Sequence, residues 1–139
     1  MQACLRSSKR KVIEMKEIKT TAMIGMGNLG IAYGNHLLKK MPKEDLRIIA
    51  DEGRIGRYTR EKLYCNGESC DFHFVAPEER TGPADLILVT VKFGNLTEAI
   101  AAIKNQVGPD TVILSALNGI SSEGMIGSVY GMDKVLYCV

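Results

Sequence analysis

The residues with the most chemistry to offer are Gly25-Met26-Gly27-Asn28-Leu29-Gly30. This GxGxxG run sits directly behind a short apolar stretch, Ala22-Met23-Ile24, and directly before a helix-like one, Ile31 to Lys40. Strand, glycine turn and helix in that order form the context in which the motif holds a dinucleotide. Gly25 lets the chain turn sharply off the strand. Gly27 lets a pyrophosphate approach backbone that no Cβ covers, and Gly30 lets the helix pack close to the strand. The free N–H groups and positive dipole end of the helix then hold the anion. A plain tight turn is the competing reading of the same glycines.

A second set of polar residues falls where the other parts of such a ligand would lie. An acidic residue about twenty positions past the glycines, at the end of the second strand, commonly binds the ribose 2′-hydroxyl of NAD. Asp51 stands there, and a carboxylate repels the 2′-phosphate of NADP. Arg54 and Arg57 follow. A guanidinium grips phosphate bidentately, so these arginines would hold a 2′-phosphate if Asp51 turned away. All of them also read as surface charges at a helix start, where Asp51 and Glu52 favour the dipole. Further on, Thr90-Val91-Lys92 and Ala116-Leu117-Asn118-Gly119 each end an apolar run. Ligands of open α/β sheets bind at the carboxyl ends of the strands. Lys92 would there approach a nicotinamide or a substrate carboxylate, and Asn118 offers both a donor and an acceptor. A solvated lysine and an Asn-Gly turn are the alternatives for this pair.

These residues need strands to carry them and helices to cover the strands. The pattern predicts a first strand over Thr20–Ile24, a helix over Asn28–Lys40 stopped by Pro42, and a second strand over Leu46–Ala50. The charged segment Asp51–Lys62 contains a short helix, and Asp71–Val75 is a third strand ended by Pro77. Asp85–Val91 is nearly all apolar, as a buried parallel strand should be. Leu96, Ile100, Ile103 and Val107 recur at helical spacing. After the turn Gly108-Pro109-Asp110 come a strand over Thr111–Ser115, a helix over Ser121–Tyr130 and a last strand over Lys134–Val139. Alternation of this kind implies βαβ units. The expected fold is α/β: a Rossmann-like, doubly wound, mainly parallel sheet with helices on both faces.

Composition narrows the class. The chain has 139 residues, a usual size for one domain, and is 45% hydrophobic, enough for a core. A net charge of +2 and the absence of Trp give no support to nucleic-acid binding. No apolar run approaches the ~20 residues of a membrane helix. Cys4, Cys65, Cys70 and Cys138 match no zinc pattern and no CxxC pair, so no metal site is expected. They read as reduced thiols of a cytoplasmic protein. Residues 1–19 form a basic, flexible extension centred on Lys9-Arg10-Lys11, with Met15 as an alternative natural start. Residues 20–139 form the nucleotide-binding domain. An end inside an apolar strand suggests that a second domain belongs after Val139.

Over Thr20–Val139 the chain resembles the N-terminal half of the ketopantoate reductase family. The resemblance rests on the GxGxxG hexapeptide at 25–30, on Pro83-Ala84-Asp85-Leu86-Ile87-Leu88-Val89-Thr90-Val91-Lys92, and on Gly108–Ser115 leading into Asn118-Gly119. It implies reduction of 2-dehydropantoate to pantoate with NADPH, on the route to pantothenate. It implies that residues 25–30 bind pyrophosphate and that Lys92 and Asn118 lie near nicotinamide and substrate, with Thr90 beside them. The family's principal proton-donating lysine belongs to a helical C-terminal domain with no counterpart in this chain. The family often places a basic residue at the end of the second strand, where this chain has Asp51-Glu52-Gly53-Arg54. NADP is the cofactor expected on family grounds, with NAD the alternative. The resemblance thus predicts a domain that binds cofactor, serves a small 2-keto acid substrate and turns over little alone. Its exposed apolar docking face favours association, a homodimer included. Two other readings stand: the nucleotide domain of a glycerol-3-phosphate or pyrroline-5-carboxylate reductase type of dehydrogenase, and a non-enzymatic nucleotide-sensing module.

Overall fold

Short apolar runs become strands because they are buried on both sides. The computed structural model describes residues 16–117 and 121–137. Its strands are β1 (Thr21–Ile24), β2 (Leu46–Ile49), β3 (Leu63–Cys65), β4 (Glu68–Cys70), β5 (His73–Val75), β6 (Leu86–Val89), β7 (Val112–Ser115) and β8 (Val135–Leu136). The helices are α1 (Asn28–Leu38), α2 (Glu52–Glu61), α3 (Leu96–Ala102) and α4 (Ser121–Tyr130). Six strands form one sheet in the order β5-β2-β1-β6-β7-β8. Every pairing in it is parallel. Counting only those six, the order is 3-2-1-4-5-6, that of the doubly wound dinucleotide-binding sheet. The chain leaves β1 toward one edge and returns to β6 on its other side, so the winding reverses between β1 and β6.

Alternation along β1 shows how the two faces are filled. Ala22 and Ile24 point into one cluster, with Ile87, Val89 and Ile113 from the sheet and Leu96, Ile100 and Ile103 of the α3 segment. Met23 points into the other, with Leu46, Ile48 and Phe72, against which Ile31, Leu37 and Leu38 of the α1 side pack. Met23, Leu46, Ile48, Ile87, Leu96 and Ile113 are each fully buried. Burial of such side chains is worth about 1.5–3 kcal/mol apiece, which makes a register slip in β1 or β6 prohibitive. The register therefore holds the strand ends level: Ile24 lies beside Ile49 on one side and beside Val89 on the other. That alignment puts the residues after β1, β2 and β6 at one end of the sheet.

The elements agree with the sequence pattern except at their ends and in one hairpin. Helix α1 stops at Leu38, two residues before Lys40, and the last strand is the two residues Val135–Leu136, with 138–139 outside the described residues. Val107 does not continue the α3 helix. The helix gives way to a 3-10 turn at Lys104–Gln106, because Gln106 turns inward. There it accepts from Arg47 Nη1 at 3.0 Å and donates to Thr81 Oγ1 at 2.9 Å. The antiparallel pair β3–β4 goes unannounced by the apolar pattern. It turns at Asn66 and Gly67, both with positive φ, the Asn-Gly signal of a two-residue hairpin. Most of the basic extension, together with Cys4 and Cys138, lies outside the described residues.

The lead-in to β1 is pinned by Asp85. Its Oδ2 accepts the Lys19 N–H at 2.9 Å and the Thr20 N–H at 3.1 Å, and Lys16 Nζ lies 3.3 Å from Oδ1. The Lys19 N–H, helped by Thr20 and Lys16, holds the carboxyl below the usual aspartate value despite partial desolvation. A depressed folded-state pKa contributes stability that is present above the ordinary value, about 3.9, and is lost as pH falls through the folded one. Asp85→Asn should therefore cost about 1 kcal/mol at neutral pH, allowing for the exposure of the group. The melting-temperature gap to the parent should close as the pH is lowered into the acid limb. A gap that stays constant with pH would show that the carboxylate charge has no part in holding this segment.

Candidate functional site

Gly25 leaves β1 with φ +101°, a left-handed conformation that L side chains rarely adopt. A Cβ there would lie 2.6 Å from the Thr90 carbonyl carbon. Gly30, inside the first turns of α1, is packed harder still: its Cβ would lie 1.9 Å from the Gly25 carbonyl oxygen. Thr90 ties the turn to β6, its hydroxyl donating to Gly25 O at 2.7 Å with Ile24 O 3.1 Å away. Gly27 differs from both. It is the N-cap of α1 with extended backbone, and a Cβ on it would meet nothing within 4 Å among the described residues. Among the described residues no side chain caps the helix, so its end presents backbone N–H groups toward the open space beside Gly27. That combination fits a phosphate-bearing ligand: an uncovered backbone at the positive end of an eleven-residue helix.

The open space is a cleft of ≈ 300 Å³ across the point where the winding reverses. Gly25, Met26 and Gly27 form its floor beside Thr90, Val91 and Lys92. Asp51 and Arg54 stand at the end of β2. Asp51 is the N-cap of α2, its Oδ1 accepting from the Arg54 N–H at 2.8 Å, and its Oδ2 accepts from Arg54 Nη1 at 3.1 Å. Lys92 follows β6 at the start of a 3-10 turn and is exposed. Ala50, Tyr58, Pro77, Ala99 and Ala102 add apolar lining to the same cleft. Tyr58 is braced by Phe74, ring centroids 5.7 Å apart.

The structure thus brings Gly25, Met26, Gly27, Asp51, Arg54, Thr90 and Lys92 to one cleft. It keeps three other predicted residues off the cleft wall. Asn28 opens α1, Leu29 faces outward at 45% exposure, and Gly30 is buried beneath the turn. Their part is in forming the helix end. Asn118 lies outside the described residues. Among the described residues on either side of it, the Ser115 hydroxyl at the end of β7 donates to Ser122, which in turn donates to Glu123 Oε2. Among the cleft-lining residues that sequence reasoning missed, one group lies on a single stripe at the start of and along α3. Asn95, just ahead of the helix, and Glu98, Ala99 and Ala102 follow i, i+3, i+4, i+7 and line the cleft; Ala99 also packs in the core cluster with Leu96, Ile100 and Ile103. The small and polar stripe was the available signal.

The model of the ketopantoate reductase PanE/ApbA family matches residues 21–139. The chain belongs to this family. Solved structures share its fold at low identity. D-mandelate dehydrogenase, in a ternary structure with NADH and anilino(oxo)acetate, aligns with a TM-score of 0.68 and 22% identity over 84% of the chain. A 2-dehydropantoate 2-reductase from Geobacter metallireducens aligns with a TM-score of 0.66 and 23% identity over 84% of the chain. The dimeric ketopantoate reductase of Staphylococcus aureus aligns with a TM-score of 0.59 and 20% identity over 77%. The matches cover 39%, 39% and 36% of those chains respectively, so this family member spans about two fifths of their length. Among curated proteins, none matches.

Proposed function

We propose that this chain is the nicotinamide-dinucleotide-binding domain of a reductase acting on 2-dehydropantoate or a related 2-keto acid. The observation that carries the reading is Gly27: bare backbone at a helix N-terminus, open on a cleft at the switch point of a doubly wound sheet. When bound, the reduced cofactor, NADPH or NADH, supplies the hydride for the ketone carbon. The chain's own residues bind and orient. The turn at 25–27 receives the pyrophosphate, Asp51 and Arg54 meet the adenosine ribose, and the apolar lining of Tyr58, Pro77 and Ala102 accepts the adenine. Lys92 presents an ammonium at the mouth of the cleft, where it would hold a substrate carboxylate or a developing negative charge on the ketone oxygen. Family membership supports the substrate class, and the cleft supports the cofactor class.

Cofactor binding and turnover are separable here. Titrating the chain with NADPH and with NADH should give saturable one-to-one binding, read as a change in nicotinamide fluorescence. Steady-state reduction of 2-dehydropantoate by the chain alone should stay near background, because only two fifths of a solved relative's length is present to enclose the substrate. Absence of binding to either cofactor would overturn the reading. Sustained turnover by the chain alone would overturn the expected separation of binding from turnover, while leaving the reductase reading standing.

A further inference from the structure

We infer that Asp51 and Glu98 make this cleft select a dinucleotide with a free ribose 2′-hydroxyl, NADH, over its 2′-phosphorylated counterpart NADPH. The inference rests on the dinucleotide reading above and concerns the end of the cleft where β2 meets α2.

A 2′-phosphate needs a cation with charge to spare, and three observations deny it one. Arg54 is already engaged, its Nη1 3.1 Å from Asp51 Oδ2. A second carboxylate, Glu98 on α3, lies 4.0 Å from the same nitrogen across the cleft. Arg57 is drawn elsewhere: its guanidinium sits over the Tyr58 ring, 5.2 Å from the centroid, and it does not line the cleft. The described rim at this end therefore holds two carboxylates against one guanidinium. A phosphate of roughly −1.5 to −2 charge would enter against a net negative wall.

Asp51 also cannot step aside cheaply. Its Oδ1 caps α2 through the Arg54 N–H, so turning the carboxylate away uncaps the helix as well as breaking the ion pair. A ribose diol suits the same arrangement. An ionised carboxylate has about four lone-pair sites, and Asp51 uses two of them on Arg54. Sites remain for a 2′-hydroxyl without any movement of the pair. Glu98 gives the far wall a second acceptor.

The test is a pair of titrations of the chain, one with NADH and one with NADPH, at low ionic strength, read by nicotinamide fluorescence and by calorimetry. NADH should bind more tightly by about tenfold or more, and the ratio should shrink as salt screens the carboxylates. Glu98→Gln, at a side chain 69% exposed and outside the core, should narrow the ratio by about threefold. NADPH binding as tightly as NADH, or a ratio unmoved by Glu98→Gln, overturns the inference and leaves the dinucleotide reading standing. Binding of neither cofactor overturns that reading, and the inference with it.

Discussion

Gly30→Ala is expected to be the most damaging single substitution at this site. The added Cβ would stand 1.9 Å from the Gly25 carbonyl oxygen and 2.8 Å from Thr90 Oγ1. Neither neighbour is the loose end of a flexible side chain. One is backbone of the turn itself, and the other is the hydroxyl that holds that turn to β6. Relief requires α1 to lift away from β1 or the turn to open. Alanine returns up to about 1 kcal/mol of helix propensity relative to glycine. Forced overpacking costs about 1–3 kcal/mol and sometimes more, and a backbone collision of this depth belongs at the upper end. A net loss of about 2 kcal/mol should lower the melting temperature by roughly 5–10 °C. Cofactor binding should fall with it, because the Gly25 turn moves. Thermal melts followed by circular dichroism, with and without cofactor, read both effects. An alanine variant that melts with the parent would mean that α1 does not rest on the glycine turn as described.

Much of this arrangement is legible before any coordinates, and the reasons are local. Val89 and Ile87 belong to an unbroken apolar run because parallel strands are buried on both faces, so β6 reads directly. Gly25 and Gly27 read as turn and cradle because strand and helix flank them at the required distances. What did not read is whatever depends on a partner distant in sequence. Asp51 and Arg54 are three residues apart, a spacing that suits a ribose contact, an N-cap and an ion pair alike. The structure shows that the last two hold together on one carboxylate. Glu98 is forty-four residues further on from Arg54, and nothing in the local pattern announces that α3 carries it to the same rim. Pairing of β1 with both β2 and β6, set by buried side chains on either face, is what closes that distance. The hairpin at Asn66-Gly67 was missed for the opposite reason. Its three-residue strands are too short and too exposed to show an alternating pattern, although the turn residues themselves were present.

Gly27→Val should have the reverse signature of Gly30→Ala: an intact fold with cofactor affinity lost. The backbone at Gly27 is extended, with φ −81° and ψ −170°, so no positive φ reserves the position for glycine. Among the described residues nothing lies within 4 Å of a Cβ placed there. The structural cost is confined to a poorer N-cap, about 1 kcal/mol or less. The isopropyl group would instead project into the space beside the α1 N–H groups, where a pyrophosphate has to approach the backbone. Holding the phosphates off by even an ångström weakens the hydrogen bonds and the contact with the helix dipole together. The expected loss is about a hundredfold in affinity, or ~2.7 kcal/mol. It should be shared by NADH and NADPH, since the pyrophosphate is common to both. That sharing separates this effect from the one at Asp51 and Glu98, which acts on the 2′ position alone. Measured on the same preparations, Gly27→Val should lower both affinities by a similar factor, whereas Glu98→Gln shifts their ratio. If Gly27→Val melts close to the parent and still binds either cofactor with unchanged affinity, the pyrophosphate does not lie at this turn, and the assignment of the cleft fails at its centre.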